Sequence, residues 1–229
     1  KNEEEANKIT NLLKNKSYKV QDIKEKDVKR RPYAPFMTST LQQEASRKLG
    51  FSTKKTMQVA RKLYEGLDIG GSTQGLITYM RTDGVDITPE AITKIRNFIK
   101  SEYGTKYLPE KAVFYKNKVK NSQEAHEAIR PTEPSLSPAK LRQYLQDDYF
   151  KLYDLIWKRT IASQMSNVIM KQVSVIIETK PEYGILRLTG SVIKFDGFYI
   201  LYELKNDKDK DDQGVIPDLQ INENLTLLD

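Results

Sequence analysis

"IASQMSNVIMKQVSVIIETK" (residues 161–180) changes its hydrophobic period in mid-course, and that change sets the fold class. Upstream, "DDYFKLYDLIWKRTIASQM" (147–165) repeats apolar residues at the three-to-four spacing of an amphipathic helix, with Trp157 in the stripe as a core residue. Downstream, "KQVSVIIETK" (171–180) and "YGILRLTGSVIKFDGFYILYEL" (183–204) alternate instead, which predicts three or four strands. "ENLTLLD" (223–229) reads as a last strand.

Working back toward the N-terminus, the helical period persists. "TSTLQQEASRKLG" (38–50) offers Ser39 or Thr40 as N-cap, with Gln three positions on from either and Gly50 as stop. "STKKTMQVARKLYEG" (52–66) carries Met57, Ala60, Leu63 and Tyr64 on one face. "TPEAITKIRNFIKSEYG" (88–104) has Thr88 as cap, Pro89 at the first helical position and an Ile92, Ile95, Ile99 stripe. Shorter helices are expected at "SQEAHEAIRP" (122–131) and "SPAKLRQYLQ" (137–146). Before all of these stand an amphipathic helix, "NEEEANKITNLLKN" (2–15), and an alternating stretch, "SYKVQDIKEKDVKRRP" (17–32). Strand patterns thus occur on both sides of a helical block. The expected class is α+β: a discontinuous β-rich domain formed by 1–32 and 168–229, with a mainly helical domain, 33–167, inserted into it.

Composition narrows the function. The 229 residues hold 38 Lys plus Arg against 31 Asp plus Glu, a net charge of +7, which favours a polyanionic partner. Nothing approaches the roughly 18 apolar residues of a membrane span, so nucleic acid is preferred to a membrane. With no cysteine and one histidine, His126, the chain offers no disulfide, thiolate metal site or multi-histidine site. The cysteine count fits a reducing cytoplasm. The first residue is Lys1, already inside a charged helical pattern, which reads as a piece of something longer.

The acidic run Asp207, Asp209, Asp211, Asp212 fails as an EF-hand, because Asp212 stands where Gly is needed and Asp218 where Glu is needed. It reads as a solvated loop. "GLDIGGSTQG" (66–75) has no phosphate-cradling spacing, and its glycines read as a turn. "GLITYMRTDG" (75–84) is different. If 76–81 is extended, Ile77, Tyr79 and Arg81 share one face and Leu76, Thr78 and Met80 the other. A free phenol, with a pKa of about 10, is a poor nucleophile at neutral pH. A neighbouring guanidinium favours phenolate and stabilises charge developing on a phosphate. Spacing alone leaves Tyr79 open between this role and ordinary packing. His126, with Ser122 and Arg130 a helical turn to either side, is open between an exposed histidine and a donor or proton carrier near the same phosphate. Lys54, Lys55, Arg61 and Lys62 either track a nucleic-acid backbone or are the solvated face of their helix.

Taken together, "PFMTSTLQQEASRKLGFSTKKTMQVARKLYEG", "GLITYMRTD", "NSQEAHEAIRP", "KLYDLIWKRTIASQM" and "IKFDGF" resemble the bacterial type IA DNA topoisomerases, in the family's order and across much of the chain. The resemblance implies that Tyr79 attacks a phosphodiester of single-stranded DNA to form a 5′-phosphotyrosyl link. It implies that Arg81 contacts the scissile phosphate, that Asp83 orients the site, and that His126 supports DNA binding or catalysis. Lys54, Lys55 and Arg130 become candidate DNA contacts.

The same resemblance implies a β-rich hinge or arch around an inserted, helix-turn-helix-like domain that carries the tyrosine. It further implies ATP-independent relaxation of negatively supercoiled DNA, by a monomer associated with the bacterial nucleoid in the cytoplasm. Mg2+ would be bound by a domain that precedes Lys1 in the family, so no metal is expected in this chain, and the chain alone is expected to be catalytically incomplete. Two rival expectations stand beside this. A helix-turn-helix regulator, with 38–66 as its motif, would bind duplex DNA without a covalent adduct. A protein-interaction domain would show no salt-dependent affinity for single strands.

Overall fold

The computed structural model describes residues 2–14, 16–116, 127–179, 184–202 and 219–226. The fold is α+β, and the chain divides into two compact units. One comprises the described parts of Lys1–Arg30, Val168–Asp196 and Leu204–Asp229, and the other the described parts of Arg31–Asn167 and Gly197–Glu203.

The first unit is an antiparallel sheet. Strands β1 (Tyr18–Arg30), β4 (Val168–Glu178), β5 (Ile185–Phe195) and β6 (Asn224–Leu225) lie in the order β5-β4-β1-β6. β1 and β4 pair from Lys19↔Glu178 to Arg30↔Val168, with a bulge between Val20 and Asp22. The last of these pairs brings the two ends of the inserted segment onto neighbouring strands, so a long insertion leaves and returns without breaking the ladder. Tyr18, Val20, Val168 and Val175 are buried, while Ile185 and Val192 of the edge strand β5 are exposed. Helix α1 (Glu3–Lys14) precedes the sheet with no buried residue. The Tyr18 hydroxyl reaches back to donate to the Leu13 carbonyl at 2.6 Å.

The second unit is mainly helical: α2 (Thr38–Leu49), α3 (Thr53–Glu65), α4 (Pro89–Tyr103), α5 (Pro138–Leu141) and α6 (Asp147–Ser163), with a two-residue hairpin of β2 (Leu67–Asp68) and β3 (Thr73–Gln74) after α3. α6 packs on α2, α3 and α5. Its Leu152, Tyr153, Ile156 and Trp157 are buried, as are Leu41 and Ala45 of α2, Val59, Ala60 and Leu63 of α3, and Ile92, Ile95 and Ile99 of α4. Burial of each such large aliphatic or aromatic side chain contributes about 1.5–3 kcal/mol. Trp157 is a core residue, meeting Phe98 edge-on and donating from Nε1 to the Pro134 carbonyl at 3.0 Å.

Several local expectations are corrected. The N-cap of α2 is Met37, not Ser39 or Thr40; the Thr40 hydroxyl instead accepts from the Met37 backbone N–H at 3.1 Å. The described part of "SQEAHEAIRP", residues 127–131, is extended rather than helical. Its N–H groups are spent elsewhere: Ala128 donates to the Asp86 carbonyl and Ile129 to that of Phe36, both at 2.8 Å. "SPAKLRQYLQ" is helical only over Pro138–Leu141 before breaking into turns.

"GFYIL" (197–201) is a 3-10 turn of the helical unit, although its sequence pattern groups it with the strands. Phe198 N–H donates to the Ser166 carbonyl at 3.0 Å. Any side chain at Gly197 would collide with the Asn167 backbone, so only glycine allows this approach. The acidic run at 207–212, His126 and Ser122 lie outside the described residues.

Candidate active site around Tyr79

The stretch 75–84 is not a strand. It is an irregular segment with one bridge, Ile77↔Pro131, and bends on either side of Tyr79. Its backbone is held by two neighbours. On one side lies 128–132: Thr78 N–H donates to the Arg130 carbonyl at 2.9 Å and Thr132 N–H to that of Leu76 at 3.0 Å. Hydroxyls add to this lattice. Thr78 Oγ1 donates to the Ala128 carbonyl at 2.7 Å and accepts from Arg130 N–H at 3.0 Å, while Thr132 Oγ1 donates to the Gly75 carbonyl at 2.9 Å.

On the other side stands Thr38, at the first turn of α2. Its N–H donates to the Thr82 carbonyl at 2.9 Å, its hydroxyl to the Met80 carbonyl at 2.8 Å, and the same oxygen accepts from Thr82 N–H at 2.9 Å. Thr38 is therefore a clasp for residues 80–82. Nothing in the residue type separates such a clasp from a helix cap, which is how the neighbouring threonine and serine read in the sequence.

Between these two anchors the side chains alternate. Leu76 and Ile77 are both buried, so Ile77 does not share the face of Tyr79 as expected from an ideal strand; the bridge to Pro131 turns it inward. From Tyr79 the alternation is clean: Tyr79, Arg81 and Asp83 are exposed, and Met80, Thr82 and Gly84 are buried. Tyr79 is 39% exposed and meets the ring of Tyr64 edge-on at 5.4 Å. Arg81 forms no ion pair among the described residues.

The other candidates differ in how their charge is used. Lys54 is exposed on α3. Lys55 Nζ lies 2.9 Å from Asp148 and 4.2 Å from the centre of the Phe51 ring. Arg130 makes a two-pronged pair with Glu127, at 2.9 Å from both Nε and Nη2, and donates from Nη1 to the Pro131 carbonyl. These pairs cancel much of the field that Lys55 and Arg130 would offer to a phosphate. Among the described residues no cluster of three or more His, Cys, Asp or Glu side chains is placed to hold a metal ion. No helix among the described residues is long and apolar enough to cross a membrane.

Tyr79 and Arg81 thus lie exposed on one side of a segment clasped by threonines, within an α+β chain whose helical part is inserted between strands. The chain belongs to the bacterial type IA DNA topoisomerase family, whose DNA topoisomerase model it matches over residues 1–229. It is similar to DNA topoisomerase 1 of Rickettsia typhi, at 53% identity over 98% of this chain and 29% of that protein. It is also similar to DNA topoisomerase 1 of Xylella fastidiosa, at 48% identity over 91% of this chain and 26% of that protein. Full-length topoisomerase I from Thermotoga maritima superimposes with a TM-score of 0.79 at 33% identity, covering 96% of this chain and 34% of that one. The chain thus spans about three-tenths of the length of these relatives.

Proposed function

We propose that this chain supplies the tyrosine half of a type IA topoisomerase reaction, with Tyr79 as nucleophile. The single observation that carries this is the Tyr79–Arg81 pair, exposed side by side on a backbone immobilised from both flanks, in a chain of this family. The Tyr79 Oη attacks a backbone phosphorus of single-stranded DNA, and the bond from phosphorus to the 3′ oxygen breaks. The phenol proton is given up and the departing 3′ oxygen takes a proton, leaving a 5′-phosphotyrosyl link. The link conserves the phosphodiester bond energy, so the reverse attack by the 3′ hydroxyl reseals the strand without ATP. Passage of a second strand between the two steps relaxes negative supercoils.

Arg81 stabilises the charge that develops on the phosphate oxygens. Asp83, on the same exposed side, orients the site. Lys54 has the strongest claim to a DNA-backbone contact; Lys55 and Arg130 would first have to exchange their protein partners for phosphate. His126 is assigned a supporting role at the same phosphate. The substrate is single-stranded and negatively supercoiled DNA, the working form is a monomer, and the location is the bacterial nucleoid. Mg2+ in the complete enzyme is assigned to parts of the longer relatives outside the matched region, and this chain alone is expected not to cleave DNA efficiently.

A regulator of the helix-turn-helix kind draws on one observation, the three-residue connection of α2 to α3 through Gly50 in the left-handed conformation. One experiment separates the two readings. This chain replaces the matching segment of the Rickettsia typhi enzyme, and the chimera is given magnesium and an oligonucleotide labelled on the 3′ side of the cut. A labelled covalent complex that disappears in Tyr79→Phe is expected. A complex that persists in Tyr79→Phe removes Tyr79 as nucleophile, and sequence-specific duplex binding with no adduct supports the regulator.

A further inference from the structure

Tyr64 is the one aromatic residue of α3, and it touches the Tyr79 segment at both ends. At the near end the contact is through backbone. Leu76 N–H donates to the Leu63 carbonyl at 2.7 Å. A Cβ on Gly75 would stand 2.6 Å from the Tyr64 carbonyl oxygen, so the two backbone segments approach as closely as only glycine permits. At the far end the contact is through side chain, with the rings of Tyr64 and Tyr79 5.4 Å apart and inclined at 69°. The residues between form the loop 66–74, which closes on itself through Leu67↔Gln74 and Asp68↔Thr73. The end of α3 and the candidate nucleophile are thus tied together at two points.

Hydrophobic burial does not account for the ring contact. Tyr64 is 42% exposed and Tyr79 39% exposed, and neither contributes to the core formed by α3 and α6. An edge-to-face pair does restrict orientation, because the positive ring edge seeks the negative face and the offset is specific. A ring contact of this kind narrows the rotamers open to a tyrosine's first torsion. A nucleophile gains rate from being held close to its line of attack.

We propose that Tyr64 is a positioning residue for Tyr79: its ring limits the rotation of the Tyr79 ring and so narrows the directions from which the phenol can meet a phosphate. This rests on the reading of Tyr79 as nucleophile. It requires only the ring of Tyr64 and not its hydroxyl, so phenylalanine should substitute and an aliphatic residue should not.

The test uses the chimeric enzyme, read by single-turnover cleavage at saturating single-stranded oligonucleotide and by the Kd for the same oligonucleotide. Tyr64→Phe is expected to cleave within about twofold of wild type, and Tyr64→Leu about tenfold more slowly with Kd unchanged. Weaker binding in Tyr64→Leu with an unchanged saturated rate would instead make Tyr64 a base-stacking surface and overturn the proposal. Unchanged rate and Kd in Tyr64→Leu would overturn it equally. A second readout needs no catalysis: in the isolated chain, the Tyr79 ring-proton resonances should move in Tyr64→Leu and stay near wild type in Tyr64→Phe, and no movement in the Leu variant would deny the contact. An adduct surviving Tyr79→Phe would sink the nucleophile reading by itself, and the ring-proton result would still report on the pairing.

Discussion

Tyr153 of helix α6 and Tyr79 of the stretch 75–84 are treated in opposite ways. Tyr153 of α6 is fully buried, its hydroxyl donates to the Leu136 carbonyl at 2.7 Å, and burial, with Glu133 nearby, pushes its pKa well above the ordinary tyrosine value. Tyr79 stands exposed on an irregular segment. The helix satisfies its own backbone and spends its side chains on packing. The loop cannot satisfy its own backbone, so Thr38, Thr78 and Thr132 and the 128–132 segment do so for it, while Tyr79 and Arg81 face outward. Rigidity in the first region comes from a core, and in the second from a lattice of hydrogen bonds.

That contrast is open to four tests, in descending size of effect. Trp157→Ala should remove about 3–5 kcal/mol of stability, measured by denaturant unfolding. A loss under about 1 kcal/mol would show that α6 is not the packing centre of its unit. Arg81→Ala should leave stability nearly unchanged and slow cleavage by the chimeric enzyme about a hundredfold, on the order of 3 kcal/mol. An unchanged rate would deny it a transition-state contact and place it with the solvated surface.

Thr38→Val should do some of each, because it is a lattice residue and not a packing one. Loss of its hydroxyl bonds to Met80 and Thr82 should cost about 1–2 kcal/mol of stability and slow cleavage about tenfold through displacement of residues 80–82. If only stability falls, the clasp does not act on the site.

The smallest effect concerns a buried phenol outside the site. Tyr115 donates toward the Ser163 and Pro32 carbonyls, and its pKa is pushed up to about 12, by burial first and against the opposing charges of Arg159 and Arg31. A folded-state pKa above the unfolded value of about 10 gives a contribution fully present below pH 10 and lost as pH rises toward about 12. Wild type should therefore lose stability more steeply than Tyr115→Phe across that window. Equal slopes in urea unfolding at about pH 9 to 12 would remove the linkage.

Much of this was legible in the residues and some was not. The helix over 88–104 was readable end to end, because Thr88, Pro89, the isoleucine stripe and Gly104 are all local signals, and the structure places α4 at Pro89–Tyr103 with Thr88 as its cap. The likeness of "GLITYMRTD" to the topoisomerase motif was readable too, since the motif is a string of residue types. Its conformation was not: an ideal strand would put Ile77 beside Tyr79, and the bridge to Pro131 does the reverse. "SQEAHEAIRP" reads as a helix, but the described residues 127–131 serve as an extended partner for Phe36 and Ile77.

The sequence by itself therefore determined the class, the switch of period near Met165 and the family, because periodicity, capping and motif identity are properties of neighbouring residues. Only the tertiary structure decided that Thr38 holds Met80 and Thr82 across more than forty positions, that Tyr64 meets Tyr79, and that Arg130 is already paired with Glu127. Two of these contacts join residues that lie far apart in the chain, and the third is a pair whose geometry an extended segment sets where a helix was expected. Hydroxyls, rings and guanidinium groups each have many possible partners, and their geometry is chosen by the packing around α6 and by the need of an irregular backbone to satisfy its polar groups.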